Sequence, residues 1–185
     1  MASIRIISGE FRSRKLRVPK GELIRPTSNR VREAMFNVLG SRMSIEGAHV
    51  LDLFSGSGAL GLEALSRGAE SVMFVDSHPL VLACSRDNTL SFDVSDRCTF
   101  VRMDVRTFLA QHHRDCFDLI LADPPYGLDY ITELPEITAR HVQSNGLFVL
   151  EHDKRIDFSQ RADLSTMKSY GRTHLSVFAY NENDE

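Results

Sequence analysis

Residues 50–69 read VLDLFSGSGALGLEALSRGA: an apolar run, a tight Ser-Gly-Ser-Gly turn, then a helix-like stretch. Gly56, Gly58 and Gly61 satisfy G-x-G-x-x-G ahead of a helix predicted over about 59–67. Glycines at such a junction let the chain turn sharply and admit a ligand close to the main chain, at the positive end of the helix dipole. Working outward, HVLDLF (49–54), SVMFVD (71–76), CTFVRM (98–103), FDLILAD (117–123) and GLFVLE (146–151) are short and apolar. Helical patterns lie between them at about 59–67, 79–91, 105–112 and 130–142. This alternation predicts a parallel sheet covered on both faces and wound right-handedly, with strands one and four adjacent. Leu164–Tyr170 and His174–Tyr180, flanking Gly171-Arg172, read as an added antiparallel hairpin. The expected fold is therefore α/β, doubly wound, with a mainly parallel seven-stranded sheet.

The chain of 185 residues fits one domain, and 42% apolar residues plus 11 glycines exclude overall disorder. No apolar run reaches the ~18–20 residues of a membrane span, and the N-terminus lacks a signal-peptide core, so a soluble cytoplasmic protein is expected. Cys84, Cys98 and Cys116 are odd in number and far apart, arguing for reduced thiols; no metal site is suggested. Net charge is −3, but residues 1–42 hold ten Lys/Arg against three acids, a local +7 that leaves −10 for the rest. That asymmetry is what a basic arm on an acidic domain gives. Within it, Ile4–Ile7 and Lys15–Val18 read as strands around a Ser8-Gly9 turn. A helix follows from an N-cap at Ser28 to Gly40, with Val31, Ala34, Met35, Val38 and Leu39 on one face and Arg30, Glu33 and Asn37 opposite. Residues 1–42 are thus expected to form a basic hairpin-plus-helix extension, and 43–185 the main domain, in one structural unit. Residues 181–185 read as a frayed tail.

Two acids extend the glycine loop. The second strand ends in Asp76, twenty residues after Gly56, where a carboxylate accepts the ribose hydroxyls of an adenosine. Dinucleotides of the NAD type and S-adenosylmethionine share this geometry. Asp104, after the third strand, suits either an adenine amino group or the cap of the next helix. The fourth strand runs into Asp123-Pro124-Pro125-Tyr126. Proline has no N–H and holds φ near about −65°, so this turn presents a carboxylate, carbonyls and one aromatic ring. Such acceptors suit a planar substrate bearing an NH₂ group, gripped through its N–H bonds with Tyr126 stacked on its ring.

With 50–69, Asp76 and Asp123–Tyr126 in hand, the chain resembles Rossmann-like class I S-adenosylmethionine-dependent amino-methyltransferases. The segments RIISGEFRSRKLRVP (5–19) and RPTSNRVREAMFNVL (25–39) narrow this to the RsmD family of bacterial 16S rRNA guanine-N2 methyltransferases, to which the chain is similar over about residues 4–180. The resemblance implies S-adenosylmethionine as cofactor and a guanine of 16S rRNA, in an assembling small ribosomal subunit, as substrate; a monomer is expected. It implies that Asp52, Phe54, Gly56 and Gly58 surround the methionine part of the cofactor, with Thr27 and Arg30 closing over it. Asp76 is assigned to the ribose, Asp104 and Val105 to the adenine, Asp123, Pro124, Pro125 and Tyr126 to the guanine. Arg12, Arg14, Lys15 and Arg17 are assigned to RNA phosphates. An aspartate at 123 also occurs in enzymes that methylate adenine N6 in DNA, so base identity stays open at this point. An NAD-dependent oxidoreductase leaves the Asp-Pro-Pro-Tyr turn and basic arm unexplained; a non-catalytic ribosome-assembly factor that holds RNA and uses the cofactor only for stability is told apart from a catalyst by an Asp123→Ala variant.

Overall fold

The computed structural model describes residues 4–19, 29–112 and 116–180. The elements are α1 (Asn29–Gly40), β1 (His49–Leu53), α2 (Ala59–Ser66), β2 (Ser71–Asp76), α3 (Pro79–Phe92), β3 (Cys98–Arg102), α4 (Val105–Gln111), β4 (Phe117–Ala122), α5 (Leu134–Ala139), β5 (Val142–Asp153), β6 (Leu164–Tyr170) and β7 (Thr173–Ala179). One seven-stranded sheet has the order β3-β2-β1-β4-β5-β7-β6. Its first five strands are parallel, and the β6–β7 hairpin is antiparallel.

The strands are apolar throughout because both sheet faces are covered. Alternate β1 residues feed two cores: Val50 packs with α1, α2 and the N-terminal arm, while Leu51 and Leu53 pack with α4 and α5. Gly61 sets how close α2 lies. A Cβ there would stand 2.4 Å from Phe74 Cε1 and 2.7 Å from Val72 Cγ1, so its absence lets the helix rest on β2. No helix among the described residues is long and apolar enough to cross a membrane.

The N-terminal segment departs from the expected pair of strands. It makes a single bridge, Arg5 to Lys15, with backbone bonds from Ile6 to Arg14 and from Leu16 to Ile4. The reason lies in α2. Its Glu63 carboxylate accepts the Ile7 and Ser8 N–H groups at 2.8 and 3.1 Å, and Ser66 accepts those of Glu10 and Phe11, so these donors serve a helix rather than a partner strand. Ile4, Ile6, Phe11 and Leu16 are buried in the same core as α1 and α2. In α1, Val31, Met35, Val38 and Leu39 face inward as expected, and Arg30, Glu33 and Asn37 face outward. Arg32, one of the ten Lys/Arg counted in residues 1–42, is fully buried against Glu63. Ser28, Thr27 and the tail 181–185 lie outside the described residues.

The helix expected over 130–142 is also shorter. A 3-10 turn, Ile131–Glu133, precedes α5, and by His141 the chain is already in the sheet, its carbonyl accepting the Phe117 N–H at 2.8 Å. β5 consequently begins at Val142, and the β4–β5 register shifts between Phe117 and Leu119. Gly146 lets that shifted strand pass, since a Cβ would meet the Asp118 carbonyl at 2.9 Å.

Candidate active site

Sheet register brings the candidate residues to one edge. Val75 pairs with Leu53, Leu53 with Ala122, and Ala122 with Leu150, all on parallel strands. One residue further along each strand stand Asp76, Phe54, Asp123 and Glu151, in a row across the C-terminal edge. With neighbouring strands roughly 5 Å apart, Asp76 and Asp123 flank the β1 end at two strand spacings. The connections from β1 and β4 leave on opposite faces, α2 with one core and α5 with the other, which opens a crevice at this topological switch point.

The glycine loop leaves β1 through unusual backbone. Phe54, Gly56 and Gly58 have φ of 56°, 57° and 79°, the left-handed region that a phenylalanine occupies only under constraint. Asp76 braces this loop: its Oδ2 accepts the Gly56 N–H at 3.0 Å and its Oδ1 the His78 N–H at 2.8 Å. A carboxylate offers about four lone-pair positions, so acceptor capacity remains. Ser85 and Asn88 of α3 bind the carbonyls of Gly56 and Ser57 at 2.6 and 2.9 Å, holding the loop from below.

Asp52 lies under the loop, 1% exposed. Its Oδ2 accepts the Gly61 N–H at 2.9 Å, while Oδ1 is buried with no hydrogen-bond partner among the described residues. Burial, reinforced by the neighbouring Asp76 and Asp123 charges, pushes this carboxyl well above the ordinary range, against the opposing Gly61 bond. Asp104 caps α4, accepting the Thr107 N–H at 3.0 Å, and Val105 beside it is buried.

Across the crevice, Asp123 is half-buried, Pro124 buried, and Pro125 and Tyr126 exposed. Tyr126 is 56% exposed, with its hydroxyl 3.4 Å from Thr173 Oγ1. The Asp123–Tyr126 turn lines a shallow recess shared with Glu151 and Ile131. Glu151 was not anticipated. Its carboxyl is pushed up to about 8 by burial and by Asp123, against a hydrogen bond with Thr173. The available signal was its place at the end of GLFVLE, the equivalent of Asp123 one strand over.

The remaining candidates lie elsewhere. Arg12, Lys15 and Arg17 are exposed on the arm. Arg14 lies over the Phe92 ring at 4.1 Å and donates to the Ser91 carbonyl, so its guanidinium is partly committed to packing. Arg30 lines an open groove between α1 and β6 with Asn37, Lys168 and Tyr170. Thr27 is not among the described residues.

A glycine loop at the switch point of a β3-β2-β1-β4-β5-β7-β6 sheet, with an acid closing β2, defines the class I methyltransferase fold. The family model described as "Conserved hypothetical protein 95" matches residues 4–179. Ribosomal RNA small subunit methyltransferase D of Escherichia coli is 37% identical over 143 residues, 77% of this chain and 68% of that protein. YlbH of Bacillus subtilis, named provisionally as an rRNA methyltransferase, is 30% identical over 182 residues, covering 95% of this chain and 98% of its own. The solved structure of yhhF from Escherichia coli superposes with a TM-score of 0.83 at 30% identity, covering 97% of this chain and 99% of that one. The chain belongs to the RsmD family.

Proposed function

We propose that this S-adenosylmethionine-dependent rRNA methyltransferase modifies the exocyclic N2 of a guanine in 16S rRNA of the small ribosomal subunit. The observation that carries the reading is the shared edge: the glycine loop with Asp76, and the Asp123 turn, open on the same crevice one strand apart. The relatives named small-subunit methyltransferase D support ribosomal RNA as the substrate class. Residues 1–42 act as the RNA-facing extension and 43–185 as the catalytic part, within one structural unit.

The site fits the cofactor at its orphaned atom. Asp52 Oδ1 is a buried acceptor without a partner among the described residues, and a cationic amino group beside it restores the ionised form that burial opposes. Asp52, Phe54, Gly56 and Gly58 hold the methionine end in this reading, Asp76 takes the ribose, and Asp104 with Val105 the adenine. When bound, the cofactor supplies an electrophilic methyl group on a sulfonium. Asp123 accepts an N–H of the guanine amine and turns its lone pair toward that carbon, with a proline carbonyl taking the second N–H and Tyr126 stacking on the ring. Positive charge developing on the amine nitrogen during transfer would lie beside the Asp123 carboxylate, which would stabilise it. The surplus proton leaves to Asp123 or water.

Incubation with labelled cofactor and small subunits lacking the modification is expected to place label in N2-methylguanosine on nucleoside analysis. Label in N6-methyladenosine, or none in RNA, overturns the reading. The arm makes a separable prediction. Neutralising Arg12, Lys15 and Arg17 together, sparing the stacked Arg14, is expected to weaken RNA binding and to flatten its log–log salt dependence by about 0.7–0.9 per lost phosphate contact. Cofactor affinity stays at the wild-type value. An unchanged salt slope, measured by titration at several ionic strengths, removes the arm from the RNA interface.

A further inference from the structure

We propose that Glu151 is a specificity-determining residue of the base recess: its carboxyl group pairs with the N1–H and O6 edge of guanine while Asp123 holds the adjacent amine. The inference rests on the guanine reading of Asp123 and adds the second point of recognition that a base reader needs. Four observations carry it. Ala122 pairs with Leu150, so Glu151 emerges beside Asp123 at the same level of the sheet. Both line the recess bounded by Pro125 and Tyr126. Glu151 is 9% exposed, and its Oε2 is buried with no hydrogen-bond partner among the described residues. A buried polar atom left unpaired costs about 1–3 kcal/mol, which is the mark of a site completed by something else.

The chemistry of the pair selects the base. Like-charged carboxylates on adjacent strands do not both ionise readily, and burial with Asp123 opposite holds Glu151 protonated to about 8. A neutral carboxyl offers one acceptor and one donor side by side. Guanine presents, in order along one edge, the amine, N1–H and O6. With the amine on Asp123, the Glu151 carbonyl oxygen accepts N1–H and its O–H donates to O6. Adenine, with its amine in the same place, offers an N1 lone pair and then a C–H, so one half of the pairing is lost. Thr173, hydrogen-bonded to Glu151 and 3.4 Å from the Tyr126 hydroxyl, ties the stacking ring to the same carboxyl.

The test compares two targets at the modified position, once it is mapped, in reconstituted small subunits lacking the modification: guanosine, and 2-aminopurine riboside, which keeps the amine but lacks both N1–H and O6. Wild-type enzyme is expected to favour guanosine roughly 10- to 100-fold in kcat/KM. Glu151→Ala brings that ratio to within about threefold of unity, chiefly by slowing guanosine, while Glu151→Gln, which keeps an acceptor and a donor, retains most of it. A ratio unchanged in Glu151→Ala, or a Glu151→Gln variant as unselective as alanine, overturns the inference. Failure of wild type to methylate guanosine at all is a failure of the parent reading and is distinct from both.

A stability measurement covers the protonation state. The folded carboxyl keeps its proton to about 8, whereas an ordinary one releases it near 4.5. The folded state therefore binds the extra proton between those values, and wild type loses stability there as pH rises. The groups acting on Glu151 are Asp123, just past β4, and Thr173 of β7, and Tyr126, His152 and Asp153 line the same recess. Tm of wild type relative to Glu151→Gln is expected to fall between pH 4.5 and 8; a flat difference means an ionised Glu151 and overturns the proposed pairing.

Discussion

Alanine in place of Asp123 is expected to lower single-turnover methyl transfer by at least about 10²–10³-fold while leaving the cofactor dissociation constant within threefold of wild type. The magnitude is what removal of one preorganised group facing developing charge costs. The separation follows from the architecture. Asp123 stands one residue beyond the Leu53–Ala122 pair, on the strand next to the glycine loop but outside it. Loop conformation rests on Asp76, Ser85 and Asn88, none of which Asp123 supports directly. The turn itself survives the change because Pro124 and Pro125 fix their own φ and Pro124 is buried. Asp123→Asn supplies the internal comparison: it keeps an acceptor for the amine and loses the charge, so its rate falls between the other two. Removing the charge also removes one cause of the raised Asp52 and Glu151 values, and both carboxyls move toward the ordinary range. Equilibrium binding with rapid-quench transfer checks all of this; wild-type transfer by Asp123→Ala ends the role assigned to that carboxylate.

The parallel sheet was legible because its signal is local and repeated: β2 occupies the residues read from its apolar run, and the glycine loop follows β1 as its spacing required; the β6 arm of the hairpin likewise falls where its flanking of Gly171-Arg172 put it. Two kinds of feature escaped. Where tertiary contacts take over backbone donors, periodicity misleads, as in the arm, whose amides serve Glu63 and Ser66 rather than a second strand. Charge counting has the same blind spot, since Arg32 carries no local mark separating it from its exposed neighbour Arg30. Glu151 shows the other limit. An acid at the end of an apolar strand reads as the strand's polar terminus, so its place at the end of GLFVLE was a signal that gained meaning once cross-strand register set it beside Asp123.

The largest stability loss is expected from Glu63→Ala. Arg32 and Glu63 both have 0% side-chain exposure, 3.7 Å apart, and burial lowers the Arg32 pKa despite its partner. Arg32 Nη2 donates to the Arg5 carbonyl and, at 3.1 Å, to Asn29 Oδ1, but Nε and Nη1 find no hydrogen bond among the described residues. Its charge is therefore offset mainly by Glu63. Glu63 in turn accepts Arg67 Nε at 2.9 Å as well as the Ile7 and Ser8 amides. Removing it strands a buried cation and two backbone donors at once, a loss of about 3–5 kcal/mol, or on the order of 10 °C in Tm for a chain of this size. Arg32→Met is expected to cost much less, because Glu63 keeps Arg67 and both amides while a buried charge is exchanged for an apolar side chain. This ordering is the informative part. A simple ion pair predicts comparable losses from either side, whereas a carboxylate hub joining arm, α1 and α2 predicts the asymmetry. Thermal unfolding measures the ordering, and hydrogen exchange locates it: the Ile7 and Ser8 amides are expected to lose protection in Glu63→Ala and to keep it in Arg32→Met. Equal losses from the two variants, or protected amides in Glu63→Ala, refute the hub.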